Sequence, residues 1–138
     1  MRYAAQRYHD ISCGHRVTGH ENKCRHLHGH NYRVHFTCEA ELDGIGRVID
    51  FSVIKSKLCM WLEDNWDHRF ILWDQDPMAD KLCSLDDSVV LVPFNPTAEN
   101  MAGHLVHHVG PRQLEGTNVV LVRCTVEETR KCAASCDR

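Results

Sequence analysis

The chain has 138 residues, 43% of them hydrophobic and 25% charged, which is typical of one globular domain that buries its own core. Sixteen basic and nineteen acidic side chains give a formal net charge of −3, which disfavours a surface that coats nucleic acid. No apolar run approaches the roughly 18–20 residues of a membrane span, and the polar first ten residues differ from a signal peptide. We therefore expect a single domain over residues 1–138 in the cytoplasm, with neither nucleic acid nor membrane as a partner.

The first half of the chain predicts two strands and a helix. A first strand is expected at about residues 2–12, and the clearest strand covers residues 31–41, where apolar and polar side chains alternate strictly. Asp50 is a candidate N-cap for a helix over residues 51–64. The apolar stripe of this helix consists of Ile54, Leu58, Trp61 and Leu62.

The second half predicts one more helix and further strands. Residues 65–87 are expected to form a long irregular connection with room for a short helical turn, and residues 89–94 a brief strand. Thr97 is a candidate cap for a helix that ends near residue 109, where Gly110 and Pro111 follow. Strands at 119–127 and 131–136 complete an α+β order with an antiparallel sheet.

The eight cysteines favour a reduced protein over a disulfide scaffold. Cys38, Cys59 and Cys124 lie in apolar, regularly patterned segments, where cysteine behaves as a small buried hydrophobe. Cys132 and Cys136 are either incidental or a pair with affinity for a metal or an oxidant.

Six of the eleven histidines lie between His15 and His35. In an extended segment the side chains at i and i+2 share a face, so His28 and His30 can present two imidazoles to one ion. His15, at the end of the preceding strand, is the candidate third ligand. Three histidines with an open fourth position are typical of a catalytic zinc; the alternative is two exposed strand histidines and an unrelated third.

Four further side chains bear on chemistry. Cys24 either completes a closed structural zinc site or stays off the metal as a thiolate that acts as base or nucleophile. Asp67 and His68 form a dipeptide in which the carboxylate can orient the imidazole. Glu128 follows an apolar strand, where a buried carboxylate needs a cationic or multiply donating partner; otherwise it is a solvated strand end.

These motifs, in this order, resemble those of the 6-pyruvoyl-tetrahydropterin synthase family, which includes the 6-carboxytetrahydropterin synthases. The matching pieces are His15-Arg16, Cys24-x₃-His28-Gly29-His30, Val48-Ile49-Asp50-Phe51, Asp67-His68, Pro96-Thr97-Ala98-Glu99-Asn100 and Glu128-Thr129. The resemblance covers nearly the whole chain.

The resemblance implies the tunnelling fold (T-fold), a four-stranded antiparallel sheet with two helices on one face. Such sheets close into a barrel by oligomerising, commonly as a homohexamer of two stacked trimers, with active sites at subunit contacts. It further implies a role for each site residue. Zn²⁺ would be held by His15, His28 and His30, the general base Cys24 would be activated by His68 and Asp67, Glu128 would grip the pterin ring, and Thr97 and Glu99 would contribute to its pocket.

The implied substrate is 7,8-dihydroneopterin triphosphate. One branch of the family forms 6-carboxy-5,6,7,8-tetrahydropterin, acetaldehyde and triphosphate in queuosine and 7-deazapurine biosynthesis, and the other forms 6-pyruvoyl-tetrahydropterin. The three residues between Cys24 and His28 favour the carboxy branch. The alternatives are the pyruvoyl-forming enzyme, a non-catalytic pterin- or purine-binding module of the same fold, and a structural zinc protein. The residues after His68 and the long 69–96 connection depart from the family pattern.

Overall fold

The sheet is built from six strands within residues 2–138, the part of the chain that the computed structural model describes. The strands are β1 (Tyr3–His15), β2 (His28–Ala40), β3 (Phe70–Trp73), β4 (Val89–Val92), β5 (Val120–Glu127) and β6 (Ala133–Asp137). Their order across the sheet is β4-β3-β1-β2-β5-β6. Strands β1, β2, β5 and β6 pair antiparallel, whereas β3 runs parallel to both β1 and β4.

The prediction of four strands in a purely antiparallel sheet is therefore wrong, although four of the six strands do form such a unit. The connection after the first helix contributes β3, which pairs with the end of β1 through Gly14 and His15. Ile71 and Leu72 in β3 are both fully buried. A strand buried on both faces has a continuous apolar sequence instead of an alternating one, which is why the segment lacked the pattern of a strand.

The alternation predicted for β2 is confirmed. Tyr32, Val34, Phe36, Cys38 and Ala40 are all buried on the face that carries the helices. Strand β2 lies between β1 and β5, so this apolar row forms the floor of the core. The opposite face is polar. Two cavities lie near the end of β1 and the beginning of β2.

Two long helices cover the core, and a short one lies in the connection. Helix α1 spans residues 51–65, helix α2 is Ala79–Leu85, and helix α3 spans residues 98–113. Asp50 caps α1 by accepting a hydrogen bond from the Ser52 N–H at 2.8 Å, and Thr97 caps α3 by accepting one from the Asn100 N–H at 3.1 Å. Both predicted caps are confirmed.

Each long helix contains one π-helical turn, Lys55–Cys59 in α1 and Leu105–Val109 in α3. The second turn explains why α3 continues past Gly110 and Pro111, where it was expected to end. The Gly110 N–H bonds to the Leu105 carbonyl, and Pro111 then occupies the first turn of the next α-helical segment, where its missing N–H costs little.

The cysteines of residues 2–138 are all free thiols. Cys38, Cys59 and Cys124 are fully buried, so they pack as small hydrophobes, as predicted. Within the same residues, no helix is long and apolar enough to cross a membrane.

Candidate metal centre and active site

Strand register brings three histidines together on one face of the sheet. His15 of β1 lies directly opposite His28 of β2, and His30 lies opposite Cys13. The Nε2 atoms of His15 and His28 are 3.0 Å apart, and the ring centroids of His28 and His30 are 4.9 Å apart. One nitrogen from each ring lies within 4.8 Å of the others, so the group could hold a metal ion.

Hydrogen bonds to backbone carbonyls fix the tautomers of two of these rings. His15 Nδ1 lies 2.7 Å from the Pro96 carbonyl, and His28 Nδ1 lies 2.7 Å from the His26 carbonyl. Because a carbonyl only accepts, each Nδ1 must carry a hydrogen, so in the neutral imidazole the lone pair is on Nε2. Two lone pairs that face each other at 3.0 Å cannot form a hydrogen bond. A cation between them would satisfy both.

The third ring leads to the same conclusion. His30 Nε2 is buried and has no hydrogen-bond partner. Burial lowers the pKa of His15 and of His30, which favours the neutral imidazole that a metal requires. Three neutral imidazoles are a donor set that suits zinc and other first-row transition metals, so the residues present fit the metal that the resemblance implies.

A carboxylate lies beside this triad. Glu128 Oε1 is 3.5 Å from His15 Nε2 and 3.7 Å from His30 Nε2. The residue follows the end of β5 directly, and its backbone N–H donates to the Cys132 carbonyl at 3.0 Å in the turn toward β6. The turn therefore directs a negative charge to the place where a metal cation would sit.

Cys24 lies in a single 3₁₀ turn, Lys23–Arg25, between β1 and β2. Its carbonyl accepts from the Val17 N–H at 2.8 Å, which ties the turn to the chain leaving His15. Among residues 2–138, the group of potential metal ligands contains the three histidines without Cys24. The Cys24 thiol is half-buried and stands outside the group of potential ligands.

Asp67 and His68 form the expected hydrogen bond, with His68 Nδ1 2.9 Å from Asp67 Oδ2. Burial alone would raise the pKa of Asp67, but hydrogen bonds from the Ser12 N–H and from His68 outweigh it and hold the pKa below its ordinary value. His68 has a left-handed backbone with φ of 57°, and its side chain is 81% exposed.

The Asp67–His68 pair is not part of the histidine group. It lines a cavity of about 580 Å³ together with Ser12 and Asn31, which alternate with the buried residues of β1 and β2 and so belong to the face opposite the histidines. No hydrogen bond within residues 2–138 joins His68 to Cys24. A second cavity, of about 430 Å³, is lined by both His68 and the metal-site residue His30.

Comparison with known proteins identifies the relatives of this arrangement. The family model described as 6-pyruvoyl tetrahydropterin synthase matches residues 5–138. The chain belongs to the 6-pyruvoyl tetrahydropterin synthase family. It is 36% identical to the 6-carboxy-5,6,7,8-tetrahydropterin synthase of Rickettsia typhi over 126 residues, which cover 89% of this chain and 91% of the relative. It is also 36% identical to the probable enzyme of that name from Halobacterium salinarum, over 86% of this chain and 76% of the relative.

Solved structures of similar proteins show the same fold. The crystal structure of an uncharacterized protein from Wolinella succinogenes superposes with a TM-score of 0.87 at 26% identity, covering 100% of this chain and 99% of the other. The Caenorhabditis elegans 6-pyruvoyl tetrahydropterin synthase gives a TM-score of 0.73 at 24% identity, covering 100% and 96% of the two chains. The T-fold expected from the family motifs is therefore confirmed.

The two remaining residues expected from the family motifs lie at the start of α3. Thr97 is half-buried and Glu99 is exposed, and both closely follow Pro96, whose carbonyl orients His15. The Thr97 hydroxyl oxygen is occupied as the helix cap, but its own hydrogen can still donate. The family's Pro-Thr-Ala-Glu-Asn motif therefore begins at the backbone carbonyl that orients a metal ligand.

Sequence reasoning missed the residues that support this site. Asp76, in the connection between β3 and α2, has a fully buried carboxylate that accepts from Arg16 Nε and from the Thr18 hydroxyl, both at 2.6 Å. Arg16 also donates to the Arg25 carbonyl at 3.3 Å, next to Cys24. Nothing in an acidic, irregular segment marks one carboxylate as buried, so the sequence carried no signal for Asp76.

Proposed function

We propose that this protein is a zinc-dependent 6-carboxy-5,6,7,8-tetrahydropterin synthase. Its substrate would be 7,8-dihydroneopterin triphosphate, and its products 6-carboxytetrahydropterin, acetaldehyde and triphosphate, in a route to queuosine and other 7-deazapurines. The observation that carries the proposal is the group of three histidines with the Glu128 carboxylate beside it.

The three histidines would hold Zn²⁺ through their Nε2 atoms. When bound, zinc supplies Lewis acidity that acidifies C–H bonds next to coordinated oxygen atoms of the substrate side chain. The carbonyls of Pro96 and His26 hold His15 and His28 with the nitrogen lone pairs directed inward, so these ligands are oriented before the metal binds.

Cys24 would act as the general base that removes a proton from a side-chain carbon of the substrate. A thiol is effective in this role only as the thiolate, so it needs a nearby base or cation. The Asp67–His68 pair has the chemistry for this task, because a carboxylate bonded to Nδ1 orients the imidazole and leaves Nε2 to accept a proton.

The position of the Asp67–His68 pair supports a site shared between subunits. His68 is 81% exposed, and within residues 2–138 it makes no hydrogen bond to Cys24. In addition, β1 pairs with β3 only at Gly14 and His15, so the rest of that edge is available to another strand. We infer an oligomer in which the sheets close into a barrel, as a hexamer of two trimers, and His68 of one subunit reaches Cys24 of the next.

Glu128 would recognise the pterin ring. A carboxylate can accept hydrogen bonds from the 2-amino group and from N3–H of a pterin at the same time, a pairing that a partly buried carboxylate makes well. The Glu128 oxygen lies 3.5 Å from His15 Nε2, which would place the ring beside the metal. Thr97 and Glu99 would border the same pocket.

Two observations favour the carboxy-forming branch. Cys24 precedes His28 by four positions, and relatives with 36% identity over most of their length are named 6-carboxy-5,6,7,8-tetrahydropterin synthases. The free thiols of residues 2–138 agree with a reducing compartment such as the cytoplasm.

Incubation of the zinc-loaded protein with 7,8-dihydroneopterin triphosphate tests the proposal, with mass spectrometry of the products. We expect acetaldehyde and 6-carboxytetrahydropterin in equal amounts. 6-Pyruvoyl-tetrahydropterin without acetaldehyde would assign the protein to the other branch. Binding of the substrate without any consumption would identify a non-catalytic pterin-binding module.

The Cys24→Ala variant separates catalysis from metal binding. If Cys24 is the base, the variant keeps about one zinc per subunit and loses turnover. Loss of the zinc together with the activity would instead identify Cys24 as a metal ligand and favour a closed structural site.

A further inference from the structure

Two polar atoms of the described chain lack the partner that burial normally requires. Among the buried side-chain nitrogen and oxygen atoms of residues 2–138, these are His30 Nε2 and Tyr32 Oη. Buried polar groups are nearly always hydrogen-bonded, so each exception needs an explanation. The metal explains His30, but it leaves the phenol unexplained.

Tyr32 belongs to the wall of the metal centre. It lies two positions after His30 on the same face of β2, and it is 1% exposed. Its ring meets the His15 ring edge-on at 5.9 Å between centroids and the His30 ring at 5.4 Å. Because the ring is enclosed, the hydroxyl cannot turn toward solvent to find a partner.

Packing alone does not require the hydroxyl. The inward side chains that follow Tyr32 on β2, including Val34 and Phe36, fill their positions in the core with apolar groups. Phenylalanine at position 32 would fill the same ring volume and would leave no unpaired oxygen. No hydrogen bond of good geometry within residues 2–138 uses the hydroxyl, although the Glu128 carboxylate is near enough to add to the effect of burial, which raises the pKa of Tyr32.

We propose that Tyr32 Oη donates a hydrogen bond to an oxygen of the pterin's three-carbon side chain when a pterin occupies the site. This inference rests on the proposed function, which places that side chain at the histidines. Tyr32 would then bind the oxygen atoms of the pterin's three-carbon side chain, whereas Glu128 would bind the pterin ring. Its hydroxyl would discriminate pterins that carry such a side chain from pterins that lack it.

The test compares two unreactive probes on the zinc-loaded protein and on Tyr32→Phe. Neopterin carries the hydroxylated side chain without triphosphate, and pterin itself has no side chain; both fluoresce, so their dissociation constants follow from equilibrium titration. We expect Tyr32→Phe to bind neopterin about tenfold more weakly, equivalent to about 1.4 kcal/mol, with the affinity for pterin unchanged. Tyr8→Phe is the matched control, since Tyr8 is 51% exposed and should change neither constant.

Stability gives a second readout that is independent of the ligand. A phenol without a partner contributes no hydrogen bond in the free protein, so Tyr32→Phe should unfold at the same or a higher denaturant concentration than the wild type. A lower midpoint would mean that the hydroxyl is bonded within the fold, and it would overturn the proposal.

The outcomes distinguish this inference from the proposed function. If the wild type binds both probes and Tyr32→Phe keeps the wild-type ratio of the two constants, the role of Tyr32 is refuted while the pterin site stands. An equal loss for both probes would assign the hydroxyl to the ring or to Glu128 and would also refute it. If the wild type binds neither probe, the proposed function fails and this inference fails with it.

Discussion

The buried carboxylate of Asp76 offers a sharp test of how the 69–96 connection supports the site. Three donors surround it: Arg16 Nε and the Thr18 hydroxyl at 2.6 Å, and the Met78 N–H at 2.8 Å. The Asp76→Asn variant keeps the side-chain volume, but it replaces one accepting oxygen with an amide that donates. Whichever way the amide turns, its NH₂ faces a donor, either Arg16 and Thr18 or the Met78 N–H, and the charge of Arg16 loses its partner.

The size of the expected loss in the free energy of unfolding depends on how deeply the ion pair is buried. Removing one partner of a buried ion pair costs about 3–5 kcal/mol, and the Arg16 side chain is 17% exposed, which lets water relieve part of the loss. We therefore expect the free energy of unfolding to fall by about 2–4 kcal/mol at pH 7. Urea titration followed by circular dichroism measures this difference, with the protomer concentration held constant because association shifts apparent stability.

The difference in the free energy of unfolding between the wild type and Asp76→Asn should also depend on pH. Burial raises the pKa of Asp76, but the hydrogen bonds from Thr18 and Arg16 outweigh it, so the pKa lies below its ordinary value. The contribution of Asp76 is then complete above the unfolded pKa of about 3.9 and is lost as the pH falls through the folded value. The gap between wild type and Asp76→Asn should therefore narrow below about pH 4.

Asp74→Asn is the control, because Asp74 is exposed in the same connection and should change stability by less than about 0.5 kcal/mol. If Asp76→Asn is as stable as this control at pH 7, the ion pair between Arg16 and Asp76 does not stabilise the packing of the 69–96 connection against the turn that holds Cys24. A gap that stays constant down to pH 3 would show that the loss comes from packing and not from charge.

Three further predictions concern the metal, the subunit contact and a helix cap. Zinc at a hundredfold excess over its dissociation constant should stabilise the protein by about 3 kcal/mol, measured by thermal unfolding; His28→Ala should abolish this stabilisation, and an equal shift in the variant would exclude the triad as the site. Subunits of Cys24→Ala and His68→Ala, each inactive alone, should regain about a quarter of wild-type activity when mixed and exchanged, since random pairing unites an intact Cys24 and His68 at that frequency; no recovery despite exchange would contradict the shared site. Thr97→Ala should cost about 1 kcal/mol of stability and Thr97→Ser much less, by urea titration; equal losses would mean that the hydroxyl does not cap α3.

The sequence predicted those parts of the fold in which local pattern and tertiary position agree. Strand β2 alternates because only one of its faces is buried, and the caps Asp50 and Thr97 act on their own helices. Strand β3 was missed because burial on both faces removes the alternation. The continuation of α3 past Pro111 was missed because it depends on the π-helical turn before it, which no local pattern predicts.

The candidate site likewise contains residues that the sequence predicted and residues that it did not. The i and i+2 spacing of His28 and His30 was readable because a strand projects alternate residues from one face. The sequence did not predict the roles of the Pro96 carbonyl and the Asp76 carboxylate. A backbone acceptor leaves no mark in the sequence, and the burial of a charge depends on partners that are distant along the chain. Tyr32 was read as one of the apolar row, and its hydroxyl was the only sign that it differs from its neighbours.

The central claim is an open zinc centre of three histidines with the Cys24 thiol beside it and not bound to it. X-ray absorption at the zinc edge of the resting, zinc-loaded protein tests this most directly, because sulfur at about 2.3 Å is readily distinguished from nitrogen and oxygen at about 2.0–2.1 Å. The structure predicts a first shell of nitrogen and oxygen alone. A sulfur ligand in that shell would contradict the account and make Cys24 part of a closed site.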